Sequence, residues 1–341
     1  MVKALVTGST GFICGYLIQD LLEHGWEVVG LDNFSKYGRV QKSYDAHPKY
    51  TFVEGDAKNI ALLGKLLADC DHFVAAAAMI GGISYFHEFS YDLIAENERI
   101  TAAAFDAAIN AHRTRRLKKI TVMSSSMVFE NATVFPTPEG AQRQCPPPLS
   151  TYGFQKLATE YFALGAWQQY KLPYTIIRPF NCVGIGERRA LRDHDVFSGN
   201  VKLAMSHVVP DLVQKILKGQ DPLVILGAGN QVRHYTYGGD LADGIRLCLE
   251  HPAAMNDDFN LSTPVSTTVL ELAQLIWKKI HGTSKPFRHS CEPAFEFDVQ
   301  HRSPDVSKAE RLLGFHANTY LGTVLDEVIP WIAEQIEIGT I

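Results

Sequence analysis

Tyr152 and Lys156 follow a serine run, Ser124-Ser125-Ser126, and these residues carry the most direct chemical meaning in the chain. On a helix, a spacing of four places both side chains on one face. An ammonium beside a phenol favours the phenolate, so the pair is suited to taking a proton from a hydroxyl near neutral pH. Tyr-x-x-x-Lys is common by chance, but its context here is informative. The serine run ends a strand-like stretch, Lys119 to Met123, and open α/β sheets bind ligands at the carboxyl ends of their strands.

A second chemical signal lies near the N-terminus. Gly8-Ser9-Thr10-Gly11-Phe12-Ile13-Cys14 joins an aliphatic run, Val2 to Val6, to a stretch with helical apolar spacing, Phe12 to Leu22. Glycines there allow a sharp turn and let a pyrophosphate approach the helix N-terminus, whose amides and dipole favour anions. Asp32 ends the next apolar run, where a carboxylate can accept hydrogen bonds from both adenosine ribose hydroxyls and repel a 2′-phosphate. This predicts NAD rather than NADP, although Lys36 and Arg39 stand nearby as potential phosphate clamps. Gly8, Gly11, Phe12, Ile13, Asp32, Asn33 and Ala75 are the expected cofactor contacts. Asp56 is a weaker candidate at the adenine end, where a surface turn explains it almost as well.

Periodicity supplies the elements that would position these groups. Apolar runs at Glu27 to Leu31, Tyr50 to Val53 and His72 to Ala78 alternate with helical patterns, as repeated βαβ units require. A helix is predicted over Asp92 to Ala111, a second begins near Ser150 as N-cap, and a strand at Tyr174 to Ile177 closes the doubly wound half. Beyond Asn181 the pattern becomes irregular, as expected where loops shape a substrate site.

Composition narrows the classes further. The 341 residues are 46% hydrophobic and 20% charged, ordinary for a globular protein, and 32 basic against 37 acidic residues give a net charge of −5. That balance argues against a general nucleic-acid or anionic-membrane binder. No apolar run reaches the roughly 18 residues of a spanning helix and no secretion signal is recognisable, so a cytoplasmic location is expected. Six scattered cysteines form no CxxC pair, the thirteen histidines show no ligand spacing, and no metal is expected.

Taken together, the glycine turn, Asp32, Ser125, Tyr152-Gly-Phe-Gln-Lys156 and Arg178-Pro-Phe-Asn181 resemble the extended short-chain dehydrogenase/reductase family of nucleotide-sugar epimerases and dehydratases. The resemblance covers essentially the whole chain. It extends through Ser206-His-Val-Val-Pro210, Gly227 to Arg233, Tyr237-Gly-Gly-Asp240 and Arg302-Ser-Pro-Asp305. It implies an α/β fold with a doubly wound parallel Rossmann sheet and a smaller α/β substrate-binding domain. Residues 1–180, with a segment returning near 234–260, would bind NAD, and 181–341 mainly the nucleoside-diphosphate sugar. Tyr152 would be the base and a cofactor contact, Lys156 its activator and the ribose ligand of the cofactor, and Ser125 the hydroxyl that meets the reacting sugar oxygen. Asn181, Arg233 and Arg302 would hold the diphosphate, with Met79, Ser126 and His207 as further substrate contacts. A homodimer is the family expectation, through two helices that include Ala102 to Ala107 and Tyr161 to Trp167.

Departures from the family pattern bear on the site. Cys14 stands where a third glycine is usual, and Phe129-Glu130 where Tyr-Gly usually follows the serines. Position 127 would carry Glu in glucuronate decarboxylases, Cys in 3,5-epimerases, and the second residue of an Asp-Glu pair in 4,6-dehydratases; here it is Met127. A thioether moves no proton in these steps. The expected reaction is therefore epimerisation, most simply at C4, by hydride removal and return to the other face of a 4-keto sugar. Ala77 to Ile83 and Ser206 to Pro210 also resemble a 3,5-epimerase branch in which the histidine, here His207, is an acid/base group. An NAD-sensing regulator without enzymatic activity is the third reading. His234, beside Arg233, is either a nucleotide contact or an ordinary hydrogen-bonded histidine. Arg188, Arg189 and Arg192 either meet a uronate carboxylate or form a solvated loop.

Overall fold

The computed structural model describes residues 2–80, 89–114, 116–188, 196–198, 201–203, 207–294 and 299–341. Seven parallel strands form its central sheet: β1 (Lys3–Thr7), β2 (Glu27–Asp32), β3 (Tyr50–Glu54), β4 (His72–Ala75), β5 (Lys119–Met123), β6 (Tyr174–Pro179) and β13 (Asp257–Leu261). They lie in the order β13-β6-β5-β4-β1-β2-β3. The order reverses beside β1, and such a switch point opens a crevice at the strands' carboxyl ends. The expected α/β class with a doubly wound sheet is therefore correct.

Both faces of the sheet are covered because alternate residues of each strand point to opposite sides. Ala4 and Val6 of β1 pack with Leu17, Ile18 and Leu21 of α1 (Phe12–Glu23) and with Leu241 and Ile245 of α6 (Gly238–Glu250). Leu5, between them, faces Leu63 of α2 (Ile60–Leu67), Ala104 and Ala108 of α3 (Ser90–Arg113), and Ala163 of α4 (Thr151–Tyr170). The strand at 174–179 does not close the sheet, since β13 pairs beyond it in parallel. The chain thus returns late to complete the sheet and its α1 face.

A separate apolar cluster forms the smaller α/β part. It joins α5 (Val208–Leu217), α7 (Val269–His281) and α9 (Leu321–Glu337) around Val213, Ile276 and Val328. Short strands edge it: β7 (Cys182–Val183) with β12 (Thr236–Tyr237), β10 (Leu223–Leu226) with β15 (His289–Glu292), and β11 (Val232–Arg233) with β14 (Thr267–Thr268). A further pair, β8 (Val196–Ser198) and β9 (Val201–Leu203), precedes α5, and α8 (Ser307–Leu313) packs under β13.

Arg178 of β6 is fully buried and crosses between layers. Its Nε and Nη2 donate to the two carboxylate oxygens of Glu160 in α4 at 2.7 and 2.8 Å, and Nη1 lies 2.7 Å from Asp258 Oδ2 in β13. Ser124 Oγ and Gln142 Nε2 donate to the same Glu160 carboxylate at 2.6 and 3.1 Å. Burial alone would raise the Asp258 carboxyl, yet the Arg178 and Lys308 cations hold it down at about 2.

Strand β4 ends at Ala75 rather than Ala78, because the amides of Ala76 and Ala77 donate to Thr7 Oγ1, both at 3.2 Å, and leave the ladder. At its other end, His72 is the register partner of Lys119, and its ring lies 5.2 Å from that of Trp26. Burial, with Lys119 and Lys118, pushes the imidazole down to about 4 from its ordinary value near 6.5. Native protein therefore binds fewer protons than unfolded chain between those pH values. The stabilisation is complete above pH 6.5 and is lost as pH falls toward 4, at up to about 1.4 kcal/mol per pH unit for this one proton. A His72→Phe variant should lose less stability than wild type between pH 6.5 and 4.5 in urea titrations. Parallel losses would show that His72 does not govern this range.

Candidate active site

A cleft of about 1010 Å³ runs across the carboxyl ends of β1, β2, β5 and β6 to the smaller α/β part. Its walls include Gly8, Gly11, Phe12, Ile13, Asp32, Asn33, Asp56, Met79, Ser125, Ser126, Tyr152, Lys156, Asn181, His207, Arg233 and Arg302. Residues distant in sequence thus converge on one cavity, with room for more than one drug-sized ligand. Ala75 lies outside these walls, and Ala76, Ala77 and Ala78 line the cleft in its place.

At the glycine turn, Gly8 has a φ of +73°, and a Cβ there would stand 3.0 Å from Ala77 Cα. Helix α1 starts at Phe12 with Gly11 as N-cap and no side-chain cap, so its positive end opens on the cleft. The Asp32 carboxylate is oriented by two amides, with Thr10 N–H donating to Oδ2 at 3.1 Å and Phe34 N–H to Oδ1 at 2.8 Å. Each oxygen keeps accepting capacity for a ribose hydroxyl. Lys36 lines the cleft, whereas Arg39 pairs with Glu54 at 2.6 Å. Asp56 Oδ1 accepts from Lys58 N–H at 2.8 Å, and Lys58 also pairs with Glu96. These residues fit a dinucleotide. Burial, reinforced by Asp32, pushes the Cys14 thiol up to about 12, so Cys14 is a packing residue without an activated thiolate.

The chemical centre is built from β5 and α4. Ser125 caps the 3-10 turn Ser126–Phe129, its Oγ accepting from Met127 N–H at 3.2 Å. Ser150 caps α4 by accepting from Gly153 N–H at 3.1 Å, as its sequence position predicts. Glu130 fastens the cap, since its carboxylate accepts from Leu149 N–H at 2.9 Å and Ser150 N–H at 3.1 Å. The departure from the usual Tyr-Gly therefore serves to hold the start of α4.

Tyr152 and Lys156 are both buried on this helix. Burial keeps the phenol above its ordinary value; hydrogen bonding to Ser125 and the Arg302 charge draw it back. Lys156 Nζ donates to the Met123 carbonyl at 2.9 Å, and lies 5.8 Å from the centroid of the Tyr152 ring. Burial pushes its ammonium down to about 8. Ser125 and Arg302 thus act on the phenol against burial, and the part played by Arg302 is one that spacing alone did not suggest.

Beyond Tyr152, Met127 packs with Leu93, Met79 and Val299, and Arg302 Nη2 lies 2.8 Å from its Sδ. Asn97 holds the Met79 backbone at both polar atoms, at 2.7 and 2.9 Å. Asn181, at a φ of +37°, donates from Nδ2 to the His234 carbonyl at 3.2 Å. Arg233 is buried, with Nη1 donating to its neighbour's carbonyl at 2.9 Å. His207 Nδ1 pairs with Glu187, a buried cleft residue that sequence reading missed because the surrounding stretch has no periodicity. The Arg188 amide donates to the Tyr37 hydroxyl, while Arg189 and Arg192 lie outside the described residues. Among the described residues, no group of three His, Cys, Asp or Glu side chains is placed to hold a metal ion, and all six cysteines are free.

A fold and cleft of this kind define a dinucleotide-dependent enzyme class, and comparison places the chain within it. Residues 4–262 match the model of the NAD dependent epimerase/dehydratase family, and the chain belongs to that family, whose cofactor is NAD. It is 26% identical to a UDP-N-acetyl-alpha-D-glucosaminuronate decarboxylase of Bacillus cytotoxicus, over 97% of this chain and 98% of that protein. It is 25% identical to a UDP-glucose 4-epimerase of Lactobacillus helveticus, over 92% of each. The crystal structure of the UDP-glucose 4-epimerase of Thermotoga maritima with UDP-glucose superposes with a TM-score of 0.80 at 25% identity, covering 98% of this chain and 100% of that one. The resemblance to the extended short-chain dehydrogenase/reductase family of nucleotide-sugar epimerases and dehydratases is thereby borne out.

Gly153 offers a direct test of how tightly this centre is assembled. A Cβ there would stand 2.7 Å from Pro148 Cβ and 2.8 Å from the Met127 carbonyl, whereas Gly165 on the same helix has nothing within 4 Å of that position. Gly165→Ala should be neutral or stabilising by up to about 1 kcal/mol, and Gly153→Ala destabilising by about 1–3 kcal/mol. Denaturant unfolding of both variants distinguishes them, and equal shifts would refute the close approach.

Proposed function

We propose that this protein is an NAD-dependent epimerase of a nucleoside-diphosphate sugar acting at C4, and the observation that carries this reading is Met127. It packs against Tyr152 in the position where elimination, decarboxylation or enolisation needs a proton-transferring side chain. The relatives include both decarboxylases and 4-epimerases, and a thioether at this position supports the second.

In this mechanism Tyr152 accepts the proton of the sugar C4 hydroxyl and later returns it, and Ser125 hydrogen-bonds the same oxygen. Lys156 holds the ribose next to the nicotinamide while its partner carbonyl on Met123 fixes its position. Gly8, Gly11, Phe12, Ile13, Asp32 and Asn33 hold the dinucleotide along the turn and β2. Asn181, Arg233 and Arg302 hold the diphosphate, so that the sugar can turn between its two faces without leaving. When bound, NAD supplies reversible hydride transfer at C4. Residues 1–180, with the return over 234–260, would form the cofactor half and 181–341 mainly the sugar half. Exposed Tyr91, Phe154 and Tyr161 on α3 and α4 support a homodimer across those helices. No described helix is long and apolar enough to cross a membrane.

A Tyr152→Phe variant should keep NAD and nucleotide affinity within about twofold while turnover falls by roughly 10²–10⁴. Calorimetry and product analysis read the two quantities separately, and full activity would refute the assignment of the base.

The His207–Glu187 pair favours one second reading, epimerisation at C3 or C5. A carboxylate paired with one ring nitrogen orients the imidazole, and an oriented imidazole is a common acid/base group. Proton NMR in heavy water with UDP-, GDP-, TDP- and CDP-sugars separates these chemistries. C4 epimerisation should yield a new isomer without deuterium on carbon. Deuterium entering beside a keto carbon would instead establish the His207 reaction, and loss of carbon dioxide would overturn the reading of Met127.

A further inference from the structure

His234 is buried, and both ring nitrogens have partners. Nδ1 lies 2.9 Å from the Thr263 carbonyl and Nε2 lies 3.0 Å from Ser303 Oγ. A carbonyl only accepts, so Nδ1 carries the hydrogen and Nε2 presents its lone pair to the Ser303 hydroxyl. Burial keeps the imidazole below its ordinary value, in keeping with this neutral form. The ring therefore joins three segments that are remote in sequence: the strand that bears Arg233, the stretch after β13, and residues 299–306, which bear Arg302.

That last segment belongs to neither a helix nor the main sheet. It is laid along β11 by Arg302 N–H to the Val232 carbonyl at 3.2 Å and Val232 N–H to the Gln300 carbonyl at 2.9 Å. Thr137 N–H donates to the Ser303 carbonyl at 2.7 Å, and Thr137 is in turn held by Asn260, whose Nδ2 donates to its carbonyl at 3.1 Å. These backbone contacts set the height of the segment. The bond from Ser303 Oγ to His234 is a side-chain contact adjacent in sequence to both cleft arginines. Its loss would leave the segment in place but free Arg302 to rotate relative to Arg233.

We propose that His234 is a positioning residue for the nucleoside-diphosphate ligand: its imidazole clasps Ser303 so that Arg302 and Arg233 are presented together to one diphosphate in the cleft. The proposal rests on the diphosphate role given to these arginines above. It assigns His234 to neither of its sequence readings alone, since the histidine is buried and hydrogen-bonded yet acts on ligand affinity through its neighbours. Two guanidiniums gain most from a diphosphate when both are prealigned, because the ordering cost is then met before binding.

The test is calorimetry of the full-length protein with UDP, GDP, dTDP and CDP, and separately with NAD. Ser303→Ala should weaken the best-bound nucleoside diphosphate by about three- to tenfold. Ser303→Thr, which keeps the hydroxyl, should restore most of the affinity. His234→Phe should weaken it by about tenfold, and adding Ser303→Ala to that variant should cause little further loss, as expected for two members of one contact. NAD affinity should stay within about twofold throughout. Unchanged diphosphate affinity in Ser303→Ala would overturn the proposal, as would equal weakening of NAD and diphosphate, which would mark a merely structural role. If wild type binds none of the four diphosphates, the proposed function fails as well. If wild type binds but the variants match it, only the clasp fails.

Discussion

Arg178 is the constraint around which the molecule is arranged. A guanidinium taken wholly out of water is tolerated only when opposite charge stands beside it. Here that requirement is filled by Glu160 from one layer and Asp258 from a strand contributed some eighty residues later. The same Glu160 carboxylate accepts from Ser124, the residue before Ser125, and belongs to the helix that carries Tyr152 and Lys156. One buried cation therefore fixes the distance between the serine end of β5 and the tyrosine face of α4. Removing one partner of such a pair typically costs about 3–5 kcal/mol, and here it would also loosen the packing of α4 against the end of β5.

The electrostatics of the centre follow from this rigid frame. Tyr152 and Lys156 sit where burial opposes charge on both, so neither ionises easily without a neighbour. Arg302 supplies part of the compensation, which couples the ionisation of the phenol to the segment laid along β11. A ligand that draws Arg302 away would make Tyr152 harder to ionise, whereas one that leaves it nearby would favour the phenolate.

Much of this organisation was legible along the chain, and the exceptions share a cause. Alternation and helical spacing located β5, the start of α4 at Ser150 and the turn at Gly8 to Gly11, because local patterns and caps determine those elements. The end of β4 was overestimated, since Ala76 to Ala78 remain apolar after Thr7 has taken two of their amides. The wall of the cleft accordingly runs through the three alanines after Ala75. Glu187 escaped notice because nothing periodic surrounds it, and the partner of His207 is defined only by folding. Asp258 carries no motif that would single it out, although it pairs with the fully buried Arg178. Side-chain pairs between remote segments leave no trace in spacing.

The late return of β13 has a consequence for how the protein comes into being. Until residue 261 has left the ribosome, β6 is an open edge of unpaired amides and carbonyls, the kind of edge that recruits foreign strands. Over the same interval Arg178 lacks one of its two carboxylates, and the apolar face awaiting Phe259 and Leu261 remains uncovered. The nascent chain therefore carries an incomplete sheet while residues 180 to 261 are made, and the sheet matures only after the elements between β6 and β13 have been synthesised.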